Sequence, residues 1–301
     1  MFHALLLVCA LAMTLANPAS HAAAPEGGKQ PQIKITWLGG PTTLIEFNGL
    51  RILTDPMFGE GDQAFTMGDP NEMFDLRTGP NVKAHRRVTP FPGTVPKAVH
   101  LVLLSHAHED HLDQKAQAEL NRAVPMILPV ADAGKIKAMG FKRVDGVKWG
   151  ETRSFKAGKG RVAITAVRAD HSENPQIAAI LGAGNGYWIE FSEGRWKRSL
   201  YWTGDSLPTG AVLEAVQKLG KPDILMAHLG AVGTTGPLGL VSMRVDQVAA
   251  LAEKISARKV LPIHHSTYAF YLEPVGKLAE LSAGKPYGLD LISEGTTVLY
   301  D

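Results

Sequence analysis

Three observations predict an α/β fold of stacked layers. Apolar runs of strand length alternate with helical patterns along the chain. No Pro/Ser-rich linker or block of charge divides the 301 residues, so beyond an N-terminal segment the chain reads as a single domain. Candidate metal-binding side chains run from His106 to His264, so both halves must build one site.

Taken in order, strands are expected near 33–38, 43–47, 51–54, 101–104, 161–167, 187–191, 199–203, 223–226, 259–263 and 297–300. Helices are expected near 114–122, 133–139, 210–219, 246–255 and 275–281. The segment from Asp55 to the strand before His106 has little periodicity, yet it holds Met57, Phe58, Phe65, Met67, Met73 and Phe74. Apolar content argues against disorder, which leaves a substrate-covering loop or padding on the outside of a sheet. A second loop, 172–186, includes Ile177, Ile180 and Leu181 and is expected to form the opposite wall.

The stretch Ser105-His106-Ala107-His108-Glu109-Asp110-His111 follows the apolar run Leu101-Val102-Leu103-Leu104. A buried strand thus delivers three imidazoles and a carboxylate onto a turn, which is a metal-binding arrangement. His106 and His108 alternate about Ala107 and can converge on one ion. Asp110 and His111 lie past the turn and point at a second. Three later strands also end in metal-ligand residues: one runs through Asp170 to His171, one ends at Gly204-Asp205, and one reaches His264-His265. Gly204 is expected to allow a close backbone approach.

The pattern His-x-His-x-Asp-His resembles the first metal motif of the metallo-β-lactamase superfamily. The segments Thr36-Trp37-Leu38-Gly39-Gly40-Pro41 and Leu53-Thr54-Asp55-Pro56 resemble its N-acyl-phosphatidylethanolamine phospholipase D and ascorbate-6-phosphate lactonase-like branch. The resemblance implies an αββα four-layer sandwich. It implies His106, His108 and His171 at a first metal, Asp110, His111 and His264 at a second, and Asp205 bridging them. It places Asp55 behind the metal-bound imidazoles. The chain departs from that branch at Gly40 and near Arg244, where His is common, so Arg244 becomes a candidate for holding an anionic group. His264 is preferred to His265 because it is the first polar residue after the apolar run.

Residues 1–24 carry no Asp, Glu, Lys or Arg and hold a short apolar core, so they read as a secretory signal peptide cut after Ala22 or Ala24, leaving 25–301 as the domain. This predicts a periplasmic or secreted protein. The single cysteine, Cys9, falls within that segment, so the mature chain has no thiol and no disulfide. It also lacks the cysteine ligand of many true metallo-β-lactamases, which argues against β-lactam hydrolysis. No later apolar stretch is long enough to span a membrane. A formal net charge of +2 makes nucleic acid a poor partner.

The expected chemistry is hydrolysis by a metal-bridging hydroxide, with Asp110 orienting it. Zinc is the default metal, and manganese or iron tolerate the same ligands. His228, His265 and Tyr268 are candidates for protonating the leaving group, each set against a structural role. The expected substrate is a phosphodiester, lipid-like in view of the apolar loop. A lactone or other cyclic ester is the alternative, and a non-catalytic metal-binding or redox-sensing module is the reading of another class.

Overall fold

The computed structural model describes Met1 and residues 30–301, so apart from Met1 the leader expected over 1–24 lies outside the described residues. Pro31–Asp301 forms one compact unit. Its first half runs β1 (Ile33–Gly39), β2 (Thr42–Phe47), β3 (Leu50–Thr54), β4 (Phe65–Gly68), β5 (Val82–His85), β6 (Leu101–Leu103), α1 (Gln114–Glu119), β7 (Pro125–Pro129), α2 (Ala133–Ala138) and β8 (Arg143–Val147). The second half begins with β9 (Thr152–Ala157), β10 (Gly160–Ala169), α3 (Pro175–Leu181), β11 (Gly184–Glu193), β12 (Trp196–Trp202) and α4 (Gly210–Leu219). It ends with β13 (Ile224–His228), α5 (Val245–Lys254), β14 (Lys259–Ile263), α6 (Gly276–Ser282), β15 (Gly288–Leu289) and β16 (Thr297–Tyr300).

Two seven-stranded sheets result, ordered β16-β1-β2-β3-β6-β7-β8 and β15-β14-β13-β12-β11-β10-β9, with β4 and β5 as a separate pair. Each large sheet is mixed, pairing antiparallel through its first hairpins and parallel beyond β3 and beyond β12. Side chains alternate across each strand. Tyr187, Ile189 and Phe191 of β11 and Leu200 and Trp202 of β12 face Ile33, Ile35 and Trp37 of β1 in a core between the sheets. Trp188 and Tyr201 point the other way, into a layer with Val212, Val216, Val248 and Leu251 of α4 and α5. Ala116 and Ile136, of α1 and α2, cover the outer face of the first sheet with Val102 and Met126. The order of layers is therefore helix, sheet, sheet, helix, as the family resemblance implies.

Several elements depart from expectation. The segment after Asp55 contains β4 and β5, and 172–186 contains α3 in place of a loop. Asn174 caps α3, accepting a hydrogen bond from Gln176 N at 2.9 Å, and Pro175 takes its first turn. Strands β7, β8, β9 and β15 also add to the expected set.

Candidate metal centre

Six strands stop at the same edge of the sandwich, and the residue ending or following each carries a polar side chain. Asp55 follows β3, the His106–His111 turn follows β6, His171 lies just past β10, Asp205 past β12, His228 ends β13 and His264 follows β14. Strands β3 and β6, and β12 through β14, run parallel. Their carboxyl ends therefore meet, as ligand sites do in open α/β sheets.

Three overlapping groups form there. Ligand atoms of His106, His108 and His171 lie within 4.8 Å of one another, as do those of His106, Asp110 and His111, and those of His111, Asp205, His228 and His264. Asp205 stands between the first and the last: its Oδ2 is 3.6 Å from His171 Nε2 and 3.3 Å from His111 Nε2, and its Oδ1 is 3.7 Å from His264 Nε2. His111 Nε2 is also 3.7 Å from Asp110 Oδ2.

The donor set fits divalent ions on a specific observation. His106 Nε2, His111 Nε2, His264 Nε2 and Asp110 Oδ1 are buried and have no hydrogen-bond partner among the described residues, a costly arrangement unless an ion takes them up. The opposite ring nitrogens are held. His106 Nδ1 lies 3.0 Å from Ser105 Oγ, His111 Nδ1 2.7 Å from Asp55 Oδ2, and His264 Nδ1 2.7 Å from the Leu229 carbonyl. His108 is turned the other way, its Nε2 3.0 Å from the Leu181 carbonyl at the end of α3, leaving Nδ1 toward its neighbours. Outer partners of this kind fix the tautomer and aim of metal-bound imidazoles. Asp55 also accepts from Ser105 N at 2.7 Å and Ser105 Oγ at 2.6 Å, so one carboxylate organises the start of the turn.

The electrostatics point the same way. Burial, reinforced by neighbouring imidazoles, pushes His106 well below the usual histidine range and His108 down to about 3. Burial likewise takes His264 down to about 3. These rings are neutral at pH 7 and offer lone pairs. At His111 burial is outweighed by the charges of Asp205, Asp110 and Asp55, which together raise it well above the usual range. Three carboxylates that hold a proton on one ring make a potential that attracts a cation.

The backbone is specialised here as well. Gly204 has φ +56°, and a Cβ there would lie 2.7 Å from Ser105 Cβ and 2.8 Å from the Asn185 carbonyl oxygen, the close approach expected of it. His264 adopts φ +61°, unusual for a non-glycine residue, with its N–H on the Gly40 carbonyl at 2.8 Å.

The remaining candidates fall elsewhere. Although His228 stands within ligand distance, both of its nitrogens are used. Trp202 Nε1 is 2.7 Å from Nε2, and a Trp nitrogen can only donate, so Nδ1 carries the proton and donates to Asp205 Oδ1 at 2.8 Å. His265 packs on Trp37 with ring centroids 4.6 Å apart, and Tyr268 stands edge-on to Phe65 at 5.2 Å. Arg244 sits at the start of α5 with its guanidinium 3.1 Å from Asp246. None of these four lines the cavity over the cluster, so none is placed as a substrate contact. Sequence reasoning missed Trp202 and Tyr271; the ring of Tyr271 lies 4.7 Å from that of His264.

That cavity, about 240 Å³, opens on His108, Asp110, His171 and Asp205. Met67, Phe74 and Leu76 form one wall and Ile180 and Leu181 the other, with Val232, Leu238 and Val241 between. The two readings of the segment after Asp55 divide by residue. Met57, Phe58 and Phe65 are buried padding, Met67 and Phe74 line the cavity, and Met73 is exposed.

With this geometry in place, comparison defines the class. Residues 50–265 match the beta-lactamase superfamily domain, so the chain belongs to the metallo-beta-lactamase superfamily, and it is a metal-dependent hydrolase. It is 29% identical over 288 residues to a metal-dependent hydrolase of Cupriavidus taiwanensis, covering 88% of this chain and 87% of that one. It is 26% identical over 262 residues to N-acyl-phosphatidylethanolamine-hydrolyzing phospholipase D 1 of Caenorhabditis elegans, covering 82% of this chain and 68% of that protein. Its fold is similar to that of an isothiocyanate hydrolase from Delia radicum gut bacteria, with a TM-score of 0.71 at 22% identity over 88% of this chain and 98% of that one.

Proposed function

We propose that the protein is a binuclear hydrolase in which His106, His108 and His171 hold one ion, Asp110, His111 and His264 a second, and Asp205 both. Zinc is the metal this donor set favours, with manganese and iron compatible. Two such ions, when bound, would supply a hydroxide nucleophile at neutral pH and polarise the oxygen under attack. Asp110, with Oδ1 unpartnered, orients the attacking water. Asp55 and His228 keep His111 and Asp205 aimed.

The substrate we propose is a phosphodiester with an apolar arm, and the observation that carries it is the apolar cavity directly over the cluster. At about 240 Å³ it is smaller than the roughly 300–1,000 Å³ of a site that encloses a drug-sized ligand. It therefore takes one arm and leaves the rest of the molecule outside. The nematode relative is named for a phospholipid diesterase activity, which agrees with this reading. A lactone or other cyclic ester is the second reading, favoured by the lack of any Lys or Arg among the cavity-lining residues.

Turnover of bis(4-nitrophenyl) phosphate, a phospholipid, a homoserine lactone and a penicillin, with zinc and separately with manganese, tests these readings. Diester cleavage should exceed lactone cleavage, with little β-lactam turnover. The reverse order would move the assignment to the lactone, and silence from a protein holding both metals would favour a non-catalytic module. We further propose export, with cleavage after Ala22 or Ala24; N-terminal sequencing of the native protein from the periplasmic fraction checks it, and an intact Met1 in the cytoplasm would refute it.

A further inference from the structure

Strand β7 runs parallel to β6, with Met126 opposite Val102 and Ile127 opposite Leu103, so the chain leaving β7 emerges beside the turn that carries His106 and His108. It passes through a short turn, Val130–Asp132, into α2. Ala107, between the two histidines, is buried in the same apolar cluster as Ile136 of α2.

Asp132 immediately precedes the first residue of α2. A carboxylate there ordinarily accepts from one of the helix's own first N–H groups, as Asp113 does for α1 by accepting from Ala116 N. Asp132 makes no such bond to its helix. Its Oδ2 instead accepts from Ala107 N–H at 3.0 Å. From within α2, Lys135 Nζ donates to the Ala107 carbonyl at 2.6 Å and to Glu109 Oε1 at 3.1 Å.

The Ala107 N–H belongs to the peptide unit shared with His106, and the Ala107 carbonyl to the unit shared with His108. Peptide units are planar, so these two bonds fix the planes from which both imidazoles project. The rings stand with centroids 4.4 Å apart. Ser105 Oγ and the Leu181 carbonyl hold one nitrogen of each ring and set its rotation; the hold on Ala107 sets where the rings begin.

We infer that Asp132 and Lys135 are positioning residues of the metal centre, a clamp from α2 that makes His106 and His108 converge on one ion. This rests on the binuclear reading above and adds to it two residues that act through the backbone of Ala107. Asp132 is half-buried and the Lys135 side chain 43% exposed, so truncating either leaves the apolar core untouched.

The test uses the full chain loaded with zinc or cobalt, comparing wild type with Asp132→Ala, Asp132→Asn, Lys135→Met and Lys135→Arg in competition with a chelator. Asp132→Ala and Lys135→Met should each release one ion about 10–100-fold more readily, with the other ion changed by less than about threefold. Asp132→Asn, which keeps an oxygen acceptor, and Lys135→Arg, which keeps a donor, should recover part of the loss. In the cobalt form the visible ligand-field bands should shift at equal occupancy, an effect that mere stabilisation of the fold does not produce. Unchanged affinity, or equal loss of both ions in step with a lower melting temperature, would overturn the inference. Crystals of the metal-free Asp132→Ala/Lys135→Met double variant give a reading without ions. There the spacing of the His106 and His108 rings should change by more than the roughly 0.5 Å within which such a site must be held. Rings that keep their 4.4 Å spacing would overturn the inference as well. A wild type that binds fewer than two ions would refute the binuclear reading alone, since the metal-free geometry is read without it.

Discussion

His228 Nδ1 donates to Asp205 Oδ1 at 2.8 Å, and Trp202 closes the other side of the ring at 2.7 Å. The carboxylate proposed to serve both ions is thus aimed by a histidine whose two ring nitrogens are both already hydrogen-bonded. Removing an outer partner of this type costs roughly 10–100-fold in metal affinity. His228→Ala should show that loss in competition with a chelator. His228→Asn, which keeps a donor near the Nδ1 position, should recover part of it. Wild-type affinity in His228→Ala would mean that Asp205 needs no such support.

Gly204→Ala tests the backbone beneath Asp205. The added Cβ meets Ser105 Cβ and the Asn185 carbonyl, both too close to accept it, at a φ of +56°. Ser105 cannot retreat freely, because its N–H and hydroxyl both bond Asp55. The variant should lose about 1–3 kcal/mol of stability, read as a lower melting temperature, together with weakened metal binding. A melting temperature equal to that of wild type would show that this contact yields easily.

A pH dependence follows from Asp113, whose buried carboxylate accepts from Phe58, Gly59 and Ala116 N–H groups at 2.8, 2.6 and 2.6 Å. Burial pushes it up to about 6 despite those bonds, from an ordinary 3.8. The folded state therefore holds the proton more tightly than the unfolded one. Its contribution is fully present below about pH 4 and is lost as pH rises through 6, by up to about 3 kcal/mol. The melting-temperature advantage of wild type over Asp113→Asn should accordingly shrink between pH 4 and pH 7. Titrations of the cluster are common to both proteins and cancel, so an advantage that stays constant or grows would contradict the assignment.

Legibility in the sequence followed locality. The His106–His111 turn is a contiguous motif, and His171, Asp205 and His264 each end a β-branched or apolar run, so the strands and the residues at their ends could be read together. Strand β7 was hidden by its own Pro125 and Pro129, which read as breakers, although the strand is almost wholly buried. Strand β9 alternates but is half exposed, and α3 is only 7 residues long, too short for a helical period to show. The Trp202–His228 contact depends on parallel register, with Trp202 opposite Met226, two residues before His228. Arg244 misled because its charge suggests anion binding, whereas its neighbour Asp246 already occupies it.

The most direct measurement of the central proposal is an anomalous difference map from crystals of the full-length protein grown with zinc, recorded at the zinc edge. Two peaks are predicted. One should lie within bonding distance of His106 Nε2, His108 Nδ1 and His171, and the other within bonding distance of Asp110, His111 Nε2 and His264 Nε2, with Asp205 reaching both. A single peak under full occupancy, or a second ion bound away from His264 and Asp205, would contradict the binuclear account.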